Sequence, residues 1–148
     1  MGMFFSKSFG YAVRGILYVA LMSTEHRRVS IDEISDRLTV PRHFLGKIMN
    51  KVAKKGILSS TKGPNGGFAL NDLTLSTSLL ALLESINGID QFHECVLRMK
   101  KCNALHPCPL HDSIQPYKKA LLELFLKADI GSLIGDENPD FVKAISAA

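Results

Sequence analysis

The stretch from Ser30 to Leu70 leaves few ways for this chain to fold, because helix starts, helix stops and a chain reversal follow one another at short intervals. Ser30-Ile31-Asp32-Glu33 is a capping box: the serine oxygen accepts from the backbone N–H three residues on, and Glu33 reaches back to the serine N–H. Ile31, Ile34 and Leu38 then form the apolar stripe of a short helix. Val40 precedes Pro41, and a residue before proline is pushed out of the helical region, so a tight turn follows. Pro41 opens the next helix, which runs to about Lys55 and is stopped by Gly56. Phe44, Leu45, Ile48 and Val52 project to one side of it as core residues, whereas Arg42, His43, Gly46, Lys47, Asn50 and Lys54 project to the other. Ile57 to Lys62 and Phe68 to Leu70 flank Gly63-Pro64-Asn65-Gly66-Gly67, a loop that tolerates the positive φ angles of a hairpin. Helix, turn, helix and hairpin predict a winged helix-turn-helix.

The flanking segments complete an expected mainly α fold with a small β-hairpin wing. Phe9, Val13, Ile16 and Leu17 recur near helical spacing between Phe4 and Met22 and predict a first helix. Leu79, Leu80, Leu82, Leu83 and Ile86 predict an apolar helix from about Thr74 to Asn87, ended by Gly88. From Ile89 to Pro109 no period is sustained, and a loop of that length inside a compact domain is usually functional. Leu110 to Lys127 is helical again, with Ile114, Tyr117, Leu121, Leu124 and Phe125 making an apolar face longer than one small domain covers. That face predicts a second subunit. The tail, ending Ala-Ile-Ser-Ala-Ala, is expected to be loosely held. Residues 1–73 are thus expected to form a DNA-binding region, and residues 74–148 a ligand-bearing loop with a long C-terminal dimerisation helix, in one compact unit with it.

Charge singles out the same helix-turn-helix. Between Arg27 and Lys62 nine Lys/Arg face three Asp/Glu, while the rest of the chain is slightly acidic and the net charge is only +4. A local basic surface fits a polyanion, most often nucleic acid. Arg42, His43, Lys47, Asn50, Lys62 and Asn65 are the candidate contacts to double-stranded DNA, since such side chains donate to base edges or phosphates from a helix in the major groove and a wing beside it. Tyr11 and Arg14 are further candidates for the DNA backbone. A merely solvated charged face is the bland alternative.

Cys95, Cys102 and Cys108 are the chain's three cysteines, with six and five residues between them, and Cys-Pro-Leu-His brings His111 close behind. Soft thiols and an imidazole in one loop fit a metal centre, although no Cys-x2-Cys pair marks a zinc ribbon or ferredoxin. His93, Glu94 and His106 are further donors in the same stretch. No secretory signal is recognised, and the apolar run from Ile16 to Met22 is too short to span a bilayer, so reduced thiols in a cytoplasmic protein with no membrane partner are expected. Met1-Gly2 with Ser6 matches a myristoylation template formally and is set aside.

Tyr-Ala-Val-Arg at 11 to 14, Pro-Arg-His-Phe-Leu at 41 to 45, Gly-Pro-Asn-Gly-Gly-Phe at 63 to 68, Ile-Asn-Gly at 86 to 88 and the cysteine loop together resemble the winged-helix iron-sulfur transcriptional regulators of the IscR and NsrR type. The resemblance covers nearly the whole chain. It implies a homodimer packed through the C-terminal helices, with one wing and helix-turn-helix per half-site of a promoter inverted repeat. It also implies a 2Fe-2S or 4Fe-4S cluster on Cys95, Cys102 and Cys108, with His111 as the noncysteine ligand, whose state sets DNA affinity in response to redox, iron-sulfur status or nitric oxide. Nitric oxide sensors of this type carry an aspartate where this chain has Gly10, which favours His111 here. Gly46 stands where side chains commonly help select the operator, so no operator sequence transfers, and His43 and Lys47 remain as candidate readers. The alternatives are a metal-free or zinc/thiol-switch regulator, and a ferredoxin-like electron carrier, against which the basic segment argues. No nucleophile stands beside a histidine and an orienting acid, so no enzyme is expected.

Overall fold

The computed structural model describes residues 5–23, 26–88, 92–95, 97, 103–134 and 145. Ser6 starts the fold: its hydroxyl accepts from the Phe9 N–H at 3.2 Å and caps α1 (Lys7–Met22). Ser30 caps α2 (Ile31–Leu38) by accepting from the Glu33 N–H at 3.1 Å. Thr39 ends α2 in the left-handed conformation, and Pro41 caps α3 (Arg42–Lys54) instead of occupying its first turn. Lys55 closes α3, and Gly56, at φ +81°, turns the chain away.

Strands β1 (Ser59–Thr61) and β2 (Gly67–Ala69) pair antiparallel in the register Ser59↔Ala69, Ser60↔Phe68 and Thr61↔Gly67. Val29 bridges the other side of β2, exchanging hydrogen bonds of 2.9 and 2.8 Å with Phe68. The wing is therefore stitched to the chain entering α2. Gly67 has φ +142°, and a Cβ there would lie 2.5 Å from the Val29 carbonyl oxygen, so no side chain fits this approach.

The remaining helices are α4 (Leu79–Ile86), α5 (His111–Lys127) and α6 (Ile130–Ile134). Leu45, Ile48, Met49 and Val52 of α3 bury against Ala12, Ile16 and Val19 of α1, with Leu82 and Leu83 of α4 in the same core. Among the described residues no helix is long and apolar enough to cross a membrane.

Several expectations change. The helix expected from Thr74 begins at Leu79, because Thr74 is buried and its hydroxyl donates to the Ile57 carbonyl at 2.6 Å, holding residues 72–76 in turns. The tail is not loose where it begins: the Ile130 N–H donates to Thr77 at 3.0 Å, Gly131 to Leu75 at 2.8 Å, and Ile130 is fully buried. Phe44 is not core. It is 44% exposed and meets Tyr11 edge-on at 5.7 Å, because it stands at the edge of the stripe whose centre Leu45, Met49 and Val52 occupy.

Glu33 does not complete the capping box. Its carboxylate accepts from Arg27 at 2.6 Å and from the Tyr18 hydroxyl at 2.7 Å. The Arg27 hydrogen bond holds the Glu33 carboxyl below its usual range, while burial, and then the bond to Glu33, push the Tyr18 phenol up to about 12. A raised folded value stabilises below the ordinary phenol value of about 10 and is lost as pH rises through the folded one. Tyr18→Phe should therefore cost about 1 kcal/mol in urea unfolding at pH 7. The gap to the wild type should close as pH rises from about 10 toward 12; a gap independent of pH would contradict the assignment.

Candidate nucleic-acid interface and cysteine loop

A groove runs between α3 and the wing, lined on the helix side by Arg42, His43, Gly46, Lys47 and Asn50, and on the wing side by Thr61 and Lys62. Arg42, His43, Lys47, Asn50 and Lys62 are exposed, and Asn65 is exposed at the wing tip. Five of the six candidate DNA contacts thus share one groove, with Asn65 just beyond its lining. Arg42 forms an exposed ion pair with Asp32, which also lines the groove and sets a negative charge in an otherwise basic face. Gly46 faces Ile31 at 3.9 Å from where its Cβ would be and leaves the groove floor open.

The first helix contributes differently from expectation. The Arg14 guanidinium is engaged within the protein: it donates to the Leu38 carbonyl at 2.7 Å, capping α2, and to the Ile145 carbonyl at 2.5 Å. Tyr11 lies half-buried, edge-on to Phe44 of α3. Gly10 has nothing within 4 Å of the space a Cβ would take.

The beginning of the cysteine loop is anchored by aromatic packing. Phe92 is buried and meets Phe125 of α5 edge-on at 6.2 Å, and Phe5 stacks on Phe125 at 4.8 Å. Three residues later Cys95 is 6% exposed. Its neighbour Glu94 offers its backbone carbonyl to the ammonium of Lys118. Cys108 is half-buried, and its carbonyl accepts from the His111 N–H at 3.0 Å where α5 begins. Cys95 and Cys108 carry thiols, His111 is half-buried, and His93, Glu94 and His106 are exposed. Cys102 lies outside the described residues. Among the described residues no three His, Cys, Asp or Glu side chains converge as a metal site, so Cys95, Cys108 and His111 are not brought together there. The donor set still fits a thiolate-bound metal group: soft sulfur and borderline nitrogen suit iron-sulfide or zinc, and Cys95 is shielded from water.

Two lysine contacts escape the sequence pattern. Lys51 of α3 donates to the Ile86 carbonyl at 3.0 Å, tying the helix that lines the groove to the last residue of α4, just upstream of the cysteine loop. Beside it the Ser6 hydroxyl donates to Asn87 Oδ1 at 2.6 Å. Lys118 interrupts the core-facing stripe of α5 between Ile114 and Phe125, and that interruption was its only signal.

The profile of the Rrf2 family, described as an iron-dependent transcriptional regulator, matches residues 5–136. The chain belongs to the Rrf2 family. A protein of Aquifex aeolicus (strain VF5) classed as an HTH-type transcriptional regulator is 31% identical over 137 residues, covering 91% of this chain and 94% of that protein. The HTH-type transcriptional regulator IscR of Klebsiella pneumoniae (strain 342) is 27% identical over 129 residues, covering 86% of this chain and 77% of its own. Among solved structures, CymR, the global cysteine regulator of B. subtilis, superposes with a TM-score of 0.71 at 14% identity, covering 87% of this chain and 94% of its own. IscR of T. potens does so at 0.68 and 16%, covering 93% and 90%. This Rrf2 chain is therefore a winged-helix, DNA-binding transcriptional regulator and not an enzyme.

Proposed function

We propose that this Rrf2 regulator binds a promoter inverted repeat as a homodimer, and that a metal group on its cysteine loop, an iron-sulfur cluster, sets its DNA affinity. What carries the proposal is the joint placement of groove and loop: the helix lining the groove is bonded through Lys51 to the root of the loop that holds the cysteines. Cys95, Cys102 and Cys108 would hold the cluster and His111 would complete the site. When bound, the cluster supplies a redox-responsive charge and a cross-link within the loop. The chain's own residues do the rest: Phe92 and Lys118 fix the first ligand against α5, while Lys51 couples loop position to α3.

The dimer is supported by the outward stripe of α5, where Leu110, Tyr117 and Leu124 are exposed at seven-residue spacing, with Ile114 and Leu121 half-buried between them. DNA contact by His43, Lys47, Asn50, Lys62 and Asn65, with Arg42 shared with Asp32, is supported by their exposure on the groove and wing. On this reading Lys62 would meet phosphate from the wing, while His43 and Lys47 would reach base edges from the helix, with Asn50 beside them.

Lys47→Ala and Lys62→Ala should each weaken promoter binding and lower the slope of log affinity against log salt by about one, Lys62→Ala uniformly across sequences. Asp32→Asn should tighten binding, since it removes a carboxylate from the groove and releases Arg42, at a folding cost below about 1 kcal/mol for so exposed a pair. Unchanged affinity and salt dependence in all three would place the DNA surface elsewhere. For the loop, the test is the visible spectrum of anaerobically purified protein, with iron, sulfide and zinc quantified per monomer. Charge-transfer bands with matching iron and sulfide are expected. A colourless protein with zinc, or with neither metal, would replace the cluster with a structural zinc or a thiol switch.

A further inference from the structure

Lys118 is 5% exposed and sits on the core-facing side of α5, where an apolar residue would fill the same stripe without losing hydration. Burying an ammonium is costly unless it is paired, and an anion is its natural partner. Among the described residues its only hydrogen-bond partner is a neutral one, the Glu94 backbone carbonyl. The carboxylate of Glu94 is exposed, and the two ion pairs among the described residues are Arg27–Glu33 and Arg42–Asp32, far from α5 in sequence. A lysine has three N–H donors, so a single carbonyl leaves capacity for further acceptors. The carbonyl it does meet belongs to the peptide that enters Cys95, itself buried.

We propose that Lys118 supplies the counter-charge for the anionic group that the cysteine loop holds. The inference rests on the metal-bearing loop proposed above and names a residue that pairs with it electrostatically without ligating it. Three thiolates outweigh the charge of an iron-sulfide core, so the bound group is anionic, and a zinc ion held by three thiolates and a neutral imidazole is anionic too. A cation buried against the Glu94 carbonyl, on the peptide that leads into the first ligand, would stabilise that charge where water is excluded. It favours the more negative, reduced state over the oxidised one and slows release of the metal. As a positioning residue, Lys118 also clamps the loop to α5 through Glu94.

Lys118→Met is one atom shorter and keeps an unbranched apolar stem while removing the charge, and Lys118→Arg keeps the charge while altering the clamp. The wild type and both variants are purified anaerobically, and metal loss to a chelator and the midpoint potential are measured on each. Lys118→Met should lose metal faster and show a more negative midpoint, and Lys118→Arg should restore the midpoint toward the wild type. A clamp alone would change retention in both variants without a midpoint that follows charge. Equal retention and equal midpoint in Lys118→Met would overturn the inference while leaving the cluster reading intact. A wild type with zinc is decided by the chelator competition alone, where equal loss from Lys118→Met overturns the inference. A wild type with no metal would overturn both the inference and the reading it rests on.

Discussion

The close approach of α1 and α3 at Gly15 is the constraint on which the rest depends. A Cβ at Gly15 would lie 2.7 Å from the Met49 sulfur and 3.8 Å from Leu45 Cδ1, so the glycine lets the inner face of α3 seat directly on α1. Leu45, Ile48, Met49 and Val52 are spent on that contact, which leaves His43, Lys47 and Asn50 turned outward without any further choice. The wing follows from the same seating. Ile57 and Leu58 enter the core immediately after Gly56 and fix where β1 begins, and Val29 pairs β2 from the other side.

Much of this was legible in the sequence because the signals are local. The Ser30 cap, the stop at Gly56 and the glycine-rich hairpin each act within a few residues, and each appears within one or two residues of its expected place. What was not legible depends on distant partners. Glu33 was expected to reach back to its own cap and instead serves Tyr18 and Arg27, contacts that need the packing of α1 on α2. Sequence spacing puts Thr74 inside a helix, whereas its hydroxyl donates to the distant Ile57 carbonyl and holds it in a turn. Arg14, a candidate for the DNA backbone, donates to two carbonyls, one of them 131 residues away in sequence. The six candidate DNA contacts lie on or beside one surface, whereas the four candidate ligands do not converge among the described residues, where Cys102 is missing. A helix face is set by local periodicity. A loop closed around a metal is not.

The polar ties around the cysteine loop explain how a DNA-binding scaffold can carry a sensor. Lys51, Ser6 and Lys118 each bond to the chain just before or within the first part of the loop, from α3, from the start of α1 and from α5. The loop is thus connected to the groove-lining helix and to the helix with the unpaired apolar stripe. A shift of the loop must break or carry these bonds, each worth about 1 kcal/mol or somewhat more when the donor is charged. Coupling free energies between two sites are typically 1–3 kcal/mol, so a few such bonds suffice.

The most direct test of the account is the affinity of one protein preparation for its promoter, measured by fluorescence anisotropy under anaerobic conditions before and after the metal proposed for the loop is stripped. Coupling through the loop predicts affinities that differ on the order of 5- to 150-fold between the two states, with DNA binding in both dependent on salt. Equal affinities would contradict it, leaving a DNA-binding protein whose cysteine loop does not govern its DNA.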